Sequence, residues 1–327
     1  MMGRFPVEGE VAVSRARAGV WLTVTSGLTF ASSGPLAKSV MVADWSPGAV
    51  LALRLTGAAA LLLALAALTE RAGLRDSLRH LRTVVLFGVI GVAGVQATFF
   101  LSLQYLHVGV TLMIQFLAPI VVIGWDWAVR GRRPSGATLF GAGVALTGAA
   151  LVINVFDTGG LSLPGLGWAA LSMVCNAAFF LVSARASDNL EPVALLGSGM
   201  VVAALTAWAL GAVSLLPIHF GAATATMNHR DLPTWLALAL LIVMSTVVPY
   251  LCAVAGTARI GATLTSLILL SEVLFAVALS WLLLAEAIAP VQAAGATLVV
   301  GGIALARYGA EQRSVRRAES ASRRTPT

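Results

Sequence analysis

The sequence predicts an all-α integral membrane protein with ten transmembrane helices in two inverted five-helix repeats. Three observations support this prediction: an apolar composition, ten segments of membrane-spanning length, and an internal repeat. Hydrophobic residues make up 58% of the 327 residues, and charged residues only 11%. A soluble core cannot enclose so many apolar side chains, whereas a bilayer solvates them.

Ten apolar segments are long enough to cross a bilayer, because each crossing helix needs about 20 mostly apolar residues. The links between them are short, which leaves no room for a soluble catalytic domain. In chain order the segments are residues 18–40, 47–69, 82–104, 108–129, 134–154, 165–186, 190–213, 232–256, 259–284 and 290–308.

These segments divide the chain into four regions. Residues 1–17 form a predicted cytoplasmic N-terminal segment, and residues 309–327 form a basic cytoplasmic tail. Between them lie two five-helix repeats, residues 18–154 and residues 165–308.

The repeat is visible in the amino acids themselves. The stretch that starts at Val95 aligns with the stretch that starts at Pro249, at a constant offset of 154 residues. A chance likeness between two apolar stretches is the alternative explanation. Against it stand three identical pairs, Thr111 with Thr265, Gly141 with Gly295 and Gly148 with Gly302.

Five spans per repeat is an odd number, so the second copy must cross the membrane in the opposite direction. Residues 130–133 carry three arginines, whereas their counterparts at residues 284–287 carry none. Inverted repeats of this kind are typical of transporters whose substrate site lies between the halves, near the bilayer midplane.

The positive charges predict the orientation. With a cytoplasmic N-terminus, 18 of the 21 lysines and arginines fall on the inner side, only Lys38 and Arg230 fall on the outer side, and Arg54 lies within the second span. This bias follows the positive-inside rule and predicts that both termini are cytoplasmic. The basic tail is then a contact for anionic lipid, and nucleic acid is not an expected partner.

Glu272 lies about 13 residues into the ninth span, close to the bilayer centre. An ionised carboxylate there costs several kcal/mol unless it is paired or hydrated. We therefore expect Glu272 to exchange protons during transport, with protons as the coupling ion. A structural bond to a hydroxyl or to Arg54 is the alternative.

Two cations are candidates for binding an anionic group of the substrate. Arg54 lies about seven residues into the second span, and its guanidinium suits a carboxylate. Extension of its side chain to the outer surface is the alternative. Lys38 lies at the outer end of the first span, where an interfacial anchor is the simpler interpretation.

Five uncharged polar residues could line the same site. Gln96 and Tyr250 occupy the same repeat position and are expected to face each other across the symmetry axis. Gln115, Asn176 and Ser245 could join them. Each could instead make an ordinary bond between helices, which is worth about 0.6 kcal/mol.

Pro119 and Pro249 lie inside spans, where each removes one backbone hydrogen bond and can kink its helix. We expect them to act as hinges of a gate, with simple helix bending as the alternative.

Other classes of protein lack support in the sequence. There is no metalloprotease or serine-hydrolase motif, so no enzyme activity, metal or cofactor is predicted. No phosphate-binding loop for ATP is present, and no loop resembles an ion filter.

The chain resembles the drug/metabolite transporter superfamily, and within it the EamA family. The resemblance rests on residues 115–119 (Gln-Phe-Leu-Ala-Pro), residues 271–273 (Ser-Glu-Val) and the end-of-repeat pattern Gly-Glu-x-x-x-Pro. That pattern appears as Ala-Glu-Ala-Ile-Ala-Pro at residues 285–290 and, in the first half, as Gly-Arg-Arg-Pro at residues 131–134. Residues 34–39, 52–55, 100–104 and 245–250 further resemble threonine and homoserine exporters of that family.

The resemblance implies a multi-pass protein of the bacterial inner membrane. It implies proton-coupled export, by alternating access, of small metabolites such as threonine or homoserine. Efflux of drug-like or lipidic compounds is the alternative, and a monomer and a homodimer are equally compatible with the sequence.

Overall fold

The computed structural model describes residues 8–106, 108–129, 131, 133–153, 162–186, 190–227, 230–275, 278–279 and 290–322. Across these residues the protein is almost entirely helical, as predicted, with one short β-hairpin. The helices of the first half are α1 (Glu8–Ala31), α2 (Ser33–Val42), α3 (Pro47–Thr69), α4 (Arg71–Arg79), α5 (Leu81–Leu86), the π-helical segment π1 (Phe87–Gly94), α6 (Val95–Leu103), α7 (Val108–Gln115), α8 (Ala118–Ala128) and α9 (Gly136–Ile153).

The second half follows the same general order. It contains α10 (Leu163–Ala186), α11 (Pro192–Ala212), β1 (Thr224–Met227), β2 (Arg230–Pro233), α12 (Thr234–Ile242), the π-helical segment π2 (Val243–Val247), α13 (Val248–Ile268), a 3-10 turn (Leu269–Ser271) and α14 (Pro290–Ser322).

Five helical stretches of the described chain are long and apolar enough to cross a membrane. They are Pro47–Thr69, Leu81–Leu103, Leu163–Ala186, Pro192–Ala212 and Thr234–Phe275. Three shorter apolar helices accompany them, Ala118–Ala128, Gly136–Leu151 and Ala293–Ala306. The protein is therefore an all-α, multi-pass membrane protein, and the count of ten spans stays a prediction.

Interruptions explain why some predicted spans are not single long helices. α7 ends at Gln115 and α8 begins at Ala118, because Pro119 lacks the N–H that would continue the helix. The predicted eighth and ninth spans form one stretch that is broken at Gly261, where φ is +79°. Most of the second half of the ninth span, residues 276–277 and 280–284, lies outside the described residues.

The main core lies where helices of the two halves meet. α3 packs along α11, and Gly197 lets α11 approach the backbone of Leu62. Leu55, Phe87 and Met200 are fully buried around this contact. Close packing of these side chains holds the two halves against each other.

α9 and α14 pack closely against each other. A side chain at Gly141 would come within 2.6 Å of the carbonyl oxygen of Gly302, and one at Gly148 within 2.6 Å of that of Gly295. Small residues at such crossings allow backbones to approach and gain van der Waals contact, which is what drives helix association in lipid.

The hairpin between α11 and α12 was not expected from the sequence. β1 and β2 are antiparallel, with Thr224 opposite Pro233. The loop that leads into the hairpin is tied to the α2–α3 turn, because the Trp45 indole donates to the Ala222 carbonyl at 3.0 Å. The loop thus covers the end of the bundle where α2 stops and α3 starts.

Candidate substrate site

Arg54 is the cation at the centre of the bundle. It lies in α3 and is only 6% exposed. Its Nε donates to the Thr246 hydroxyl and its Nη2 donates to the Ser245 carbonyl, both at 2.6 Å. Arg54 does not extend to the surface, so the alternative of an outward-reaching side chain is wrong for this structure.

π2 receives these two bonds, and it ends two residues before Pro249. The Thr246 hydroxyl also donates to the Leu241 carbonyl at 2.9 Å. The Ser245 hydroxyl shares a 2.8 Å hydrogen bond with the Ser32 hydroxyl at the junction of α1 and α2. Three separate segments of the chain therefore meet at π2.

Gln96 and Tyr250, which were expected to face each other, are joined by a hydrogen bond. The Gln96 amide donates to the Tyr250 hydroxyl at 3.1 Å. The Tyr250 ring makes edge contacts with Phe30 and Phe179, at centroid distances of 5.1 Å and 5.5 Å. The pair thus provides polar atoms inside an aromatic wall.

Glu272 follows the 3-10 turn and is half-buried beside α1. A side chain at Gly27 would lie 3.6 Å from the Glu272 backbone nitrogen, so the two segments are in close contact. Glu272 interacts electrostatically with Arg54 and Tyr250. The described residues contain no ion pair within 4 Å between Glu272 and Arg54, so the two charges act over a longer distance.

Gln115 and Asn176 lie on neighbouring helices. The Gln115 amide donates to the Ser172 hydroxyl at 3.1 Å, and that hydroxyl donates to the Val95 carbonyl at 3.0 Å. Gln115 is thereby connected to the residue next to Gln96. Asn176 is half-buried one turn along α10, and its side chain makes no hydrogen bond among the described residues.

The structure therefore brings Arg54 into contact with Ser245, and Gln96 into contact with Tyr250. Glu272 lies within electrostatic range of Arg54. Lys38 belongs to α2, but its side chain lies outside what the structure describes. Sequence reasoning missed Thr246 and the π-helical segments. Thr246 precedes Pro249 by three residues, which is the signal that could have identified it.

A cavity of about 320 Å³ opens at the end of the bundle covered by the hairpin loop. It is mainly apolar. Its walls are Met41, Ser46, Pro47, Gly48, Phe100, Leu103, Gln104, Leu216 and Pro217.

Nothing in the described chain suggests a metal centre, since no three His, Cys, Asp or Glu side chains are grouped there. Cys175 is buried, Cys252 is half-buried, and both are free thiols.

This chain is similar to known proteins in sequence and in structure. A protein described as the uncharacterized inner membrane transporter YicL, from Salmonella typhimurium, is 24% identical over 234 residues, which cover 71% of this chain and 75% of that protein. A chain solved by crystallography is 20% identical and superposes with a TM-score of 0.72, over 88% of this chain and 96% of the other. That structural likeness shows the fold alone.

The model of the EamA-like transporter family matches the chain twice, over residues 17–154 and residues 163–308. The two matches together span most of the sequence. They include α3, π2 and the segment that carries Glu272, which are the parts that build the polar centre. The chain belongs to the EamA-like transporter family.

Proposed function

We propose that the protein is a secondary carrier that exports small metabolites by proton-coupled alternating access. Amino acids such as threonine and homoserine are the expected cargo. The observation that carries the proposal is the polar centre made by Arg54, Gln96 and Tyr250, which is enclosed by helices of both matched halves.

Two inverted repeats are the second element of the proposal. Gly295 and Gly302 are the repeat counterparts of Gly141 and Gly148. In the packed pair, Gly141 approaches Gly302 and Gly148 approaches Gly295. A twofold axis exchanges partners in this way, so these contacts support an inverted arrangement of the two halves.

The chemistry of the centre suits a small zwitterion. Arg54 offers a fixed positive charge, and Glu272 offers a negative one that a proton can neutralise. Gln96, Gln115, Asn176, Ser245 and Tyr250 supply hydrogen bonds that cost little to desolvate. Lys38 would meet anionic groups at the outer end of the path. Exchange of a proton on Glu272 for cargo would couple export to the proton gradient.

Alternating access needs parts that move. Pro119 separates α7 from α8, and Pro249 follows π2, so both prolines adjoin places where regular helical hydrogen bonding is interrupted. We propose these as hinges. We also propose that the protein lies in the bacterial inner membrane, as its apolar helices and the relative from Salmonella typhimurium suggest. The distribution of arginines supports an orientation with both termini in the cytoplasm.

Efflux of drug-like compounds is the second candidate, and one observation favours it. The Tyr250 ring contacts Phe30 and Phe179, and the Phe179 ring also contacts Phe87 and Phe180. Such a wall would also suit an aromatic or lipophilic cargo.

The test is transport by the purified protein in proteoliposomes. Threonine, homoserine and a lipophilic cation are compared, each with and without a pH gradient. Export of an amino acid that the gradient accelerates supports the proposal, whereas movement of the lipophilic cation alone supports the second candidate.

Glu272→Gln tests the coupling role. The variant should lose acceleration by the gradient but keep exchange of labelled for unlabelled cargo, because exchange needs no net proton movement. Glu70→Gln is the matched control, since Glu70 lies beyond the end of α3. Gradient-driven transport that survives in Glu272→Gln would remove Glu272 from the mechanism.

A further inference from the structure

Pro249 removes the α-helical partner of the Ser245 carbonyl. In an α-helix this oxygen would accept from the N–H of residue 249, but Pro249 has no N–H. An unpaired backbone group is costly in hydrocarbon, where no water can replace the missing bond. The chain widens into π2 at this point. π-Helical turns are rare, occur mostly as single turns inside α-helices, and are frequent at functional sites.

Arg54 supplies the missing donor from another helix. Its Nη2 donates to the Ser245 carbonyl, while its Nε donates to the Thr246 hydroxyl next along the chain. Hydrogen bonds from a charged donor are shorter and stronger than neutral ones. The bonds join residues 191 and 192 positions apart in sequence, so they fix α3 to π2.

We propose that Arg54 is a positioning residue that caps the carbonyl released by Pro249 and holds Val243–Val247 in its π-helical form. By holding this turn in place, Arg54 sets the directions in which the side chains of Ser245 and Tyr250 point. The inference rests on the proposed function, because Ser245 and Tyr250 belong to the proposed substrate site. It gives Arg54 the role of positioning these residues, in place of direct contact with the substrate.

The repeat counterpart of π2 in the first half needs no such cap. π1 lies at the repeat counterpart of π2, but the counterparts of Ser245 and Pro249 are Gly91 and Val95. Valine keeps its backbone N–H, so no carbonyl is orphaned by a proline there. Instead Gly91 lets π1 pack against the backbone of Phe179. The second half therefore depends on a side chain where the first depends on close packing.

A double-mutant cycle tests the proposal. Arg54→Met removes both donors but keeps side-chain length, and Pro249→Ala returns an N–H that can bond the Ser245 carbonyl. Wild type, both single variants and the double variant are purified. Their Tm and the hydrogen exchange of residues 241–250 are measured, and neither measurement requires a known cargo.

We expect Arg54→Met to lower Tm by about 3 to 8 °C and to speed exchange of residues 241–250 about tenfold, through loss of two charge-assisted bonds. Adding Pro249→Ala should restore at least half of both losses. Pro119→Ala is the matched control, because Arg54 makes no bond near that proline. Additive effects of Arg54→Met and Pro249→Ala, or an equal rescue by Pro119→Ala, would overturn the proposal.

Arg54→Lys provides a second variant. Lysine can bond one of the two acceptors but cannot bridge them, so its Tm and exchange should lie between those of wild type and Arg54→Met. If Arg54→Met does not yield folded protein, the lysine variant enters the same cycle with Pro249→Ala. A lysine variant without any coupling to Pro249→Ala would then contradict the capping role.

Threonine counterflow separates positioning from direct binding. If Arg54 is a positioning residue, the double variant should regain Vmax with a KM within twofold of wild type. A KM that stays raised tenfold in the double variant would mean that Arg54 contacts threonine itself and would overturn a positioning role. If the proposed function fails, wild type gives no threonine signal at all, while the Tm and exchange coupling remain measurable.

Discussion

Gln96 and Tyr250 are hydrogen-bonded at 3.1 Å, and they are separated by 154 residues, the same offset that aligns the two halves of the sequence. In the inverted arrangement that we propose, two equivalent positions of the repeat can touch only close to the axis that relates them. The bond therefore identifies the centre of the bundle, where Arg54 and π2 also lie.

Variants at Gln96 and Tyr250 should lose the same hydrogen bond, so their effects on stability should not add. Gln96→Leu and Tyr250→Phe should each destabilise the protein by about 0.6 kcal/mol, because each removes the same interhelical hydrogen bond. The double variant should be no less stable than the worse single variant, measured as unfolding in detergent. Fully additive losses would show that each side chain acts through other contacts.

The glycines of α9 and α14 offer a test with controls on the same two helices. Gly141→Ala should cost about 1–3 kcal/mol, because the new methyl group would overlap the carbonyl of Gly302. Gly143→Ala and Gly301→Ala place a methyl group in open space and should leave stability unchanged or raise it slightly. The measurement is Tm of the purified variants, and equal losses in all three would contradict the packing assigned to this pair.

The ends of α8 and α13 form a contact between the two halves that should limit access to the site. The Thr263 hydroxyl donates to the Asp126 carboxylate at 3.0 Å, and the Arg185 guanidinium lies 5.6 Å from the centroid of the Trp125 ring. Thr263→Val should therefore loosen this end of the bundle.

Loosening is measured with a cysteine placed at Asn176, in a chain without Cys175 and Cys252. Thr263→Val should raise its labelling rate by an impermeant thiol reagent about threefold in inside-out vesicles, as expected for loss of about 0.6 kcal/mol. Thr257→Val is the control, since that hydroxyl bonds only the Ala253 carbonyl of its own helix. Equal acceleration in both variants would argue against a gate at Asp126.

Glu70 gives a pH-dependent prediction outside the spans. It accepts from the Ala194 N–H at 2.9 Å, at the start of α11. Burial raises the pKa of Glu70 above its ordinary value of 4.5, with a smaller contribution from the negative charge of Glu191. Because the folded state holds this proton more tightly, the stabilisation is present below about pH 4.5 and is lost as the pH rises through the folded-state pKa.

Glu70→Gln keeps an acceptor for Ala194 but cannot titrate. The difference in Tm between pH 4.5 and pH 7 should therefore shrink in this variant relative to wild type. Glu191→Gln, which removes the neighbouring charge, should change the slope in the same direction by a smaller amount. A steeper pH dependence in Glu70→Gln would reverse the sign of the argument.

Membership of the EamA-like family and an all-α membrane fold could be predicted from the sequence, and both predictions are confirmed. The length of an apolar segment and a short sequence motif are local properties, so they can be interpreted without knowing which helices touch. The roles of Glu272 and the other site residues stay predictions. The hairpin at residues 224–233 was missed, because its pairing depends on the loop being held over the α2–α3 turn.

Two prolines show where local rules stop. Each removes one backbone donor, yet Pro119 separates two helices whereas Pro249 follows a π-helical segment inside a continuous stretch. The sequence predicts an interrupted helical hydrogen bond at both prolines. It does not say that Arg54 reaches the interruption at Pro249, because that contact joins residues far apart in the chain.

A similar limit applies to the repeat. Thr111 shares a 2.9 Å hydrogen bond with Ser102, but Gly256 takes the place of Ser102 in the second half, and the buried Thr265 hydroxyl has no partner within the described chain. By itself the sequence determined membrane residence, helical structure and duplication, since all three follow from composition and spacing. Only the tertiary structure decided which polar groups meet, because in a low-dielectric interior a polar atom is stabilised by whichever partner the packing brings within about 3 Å.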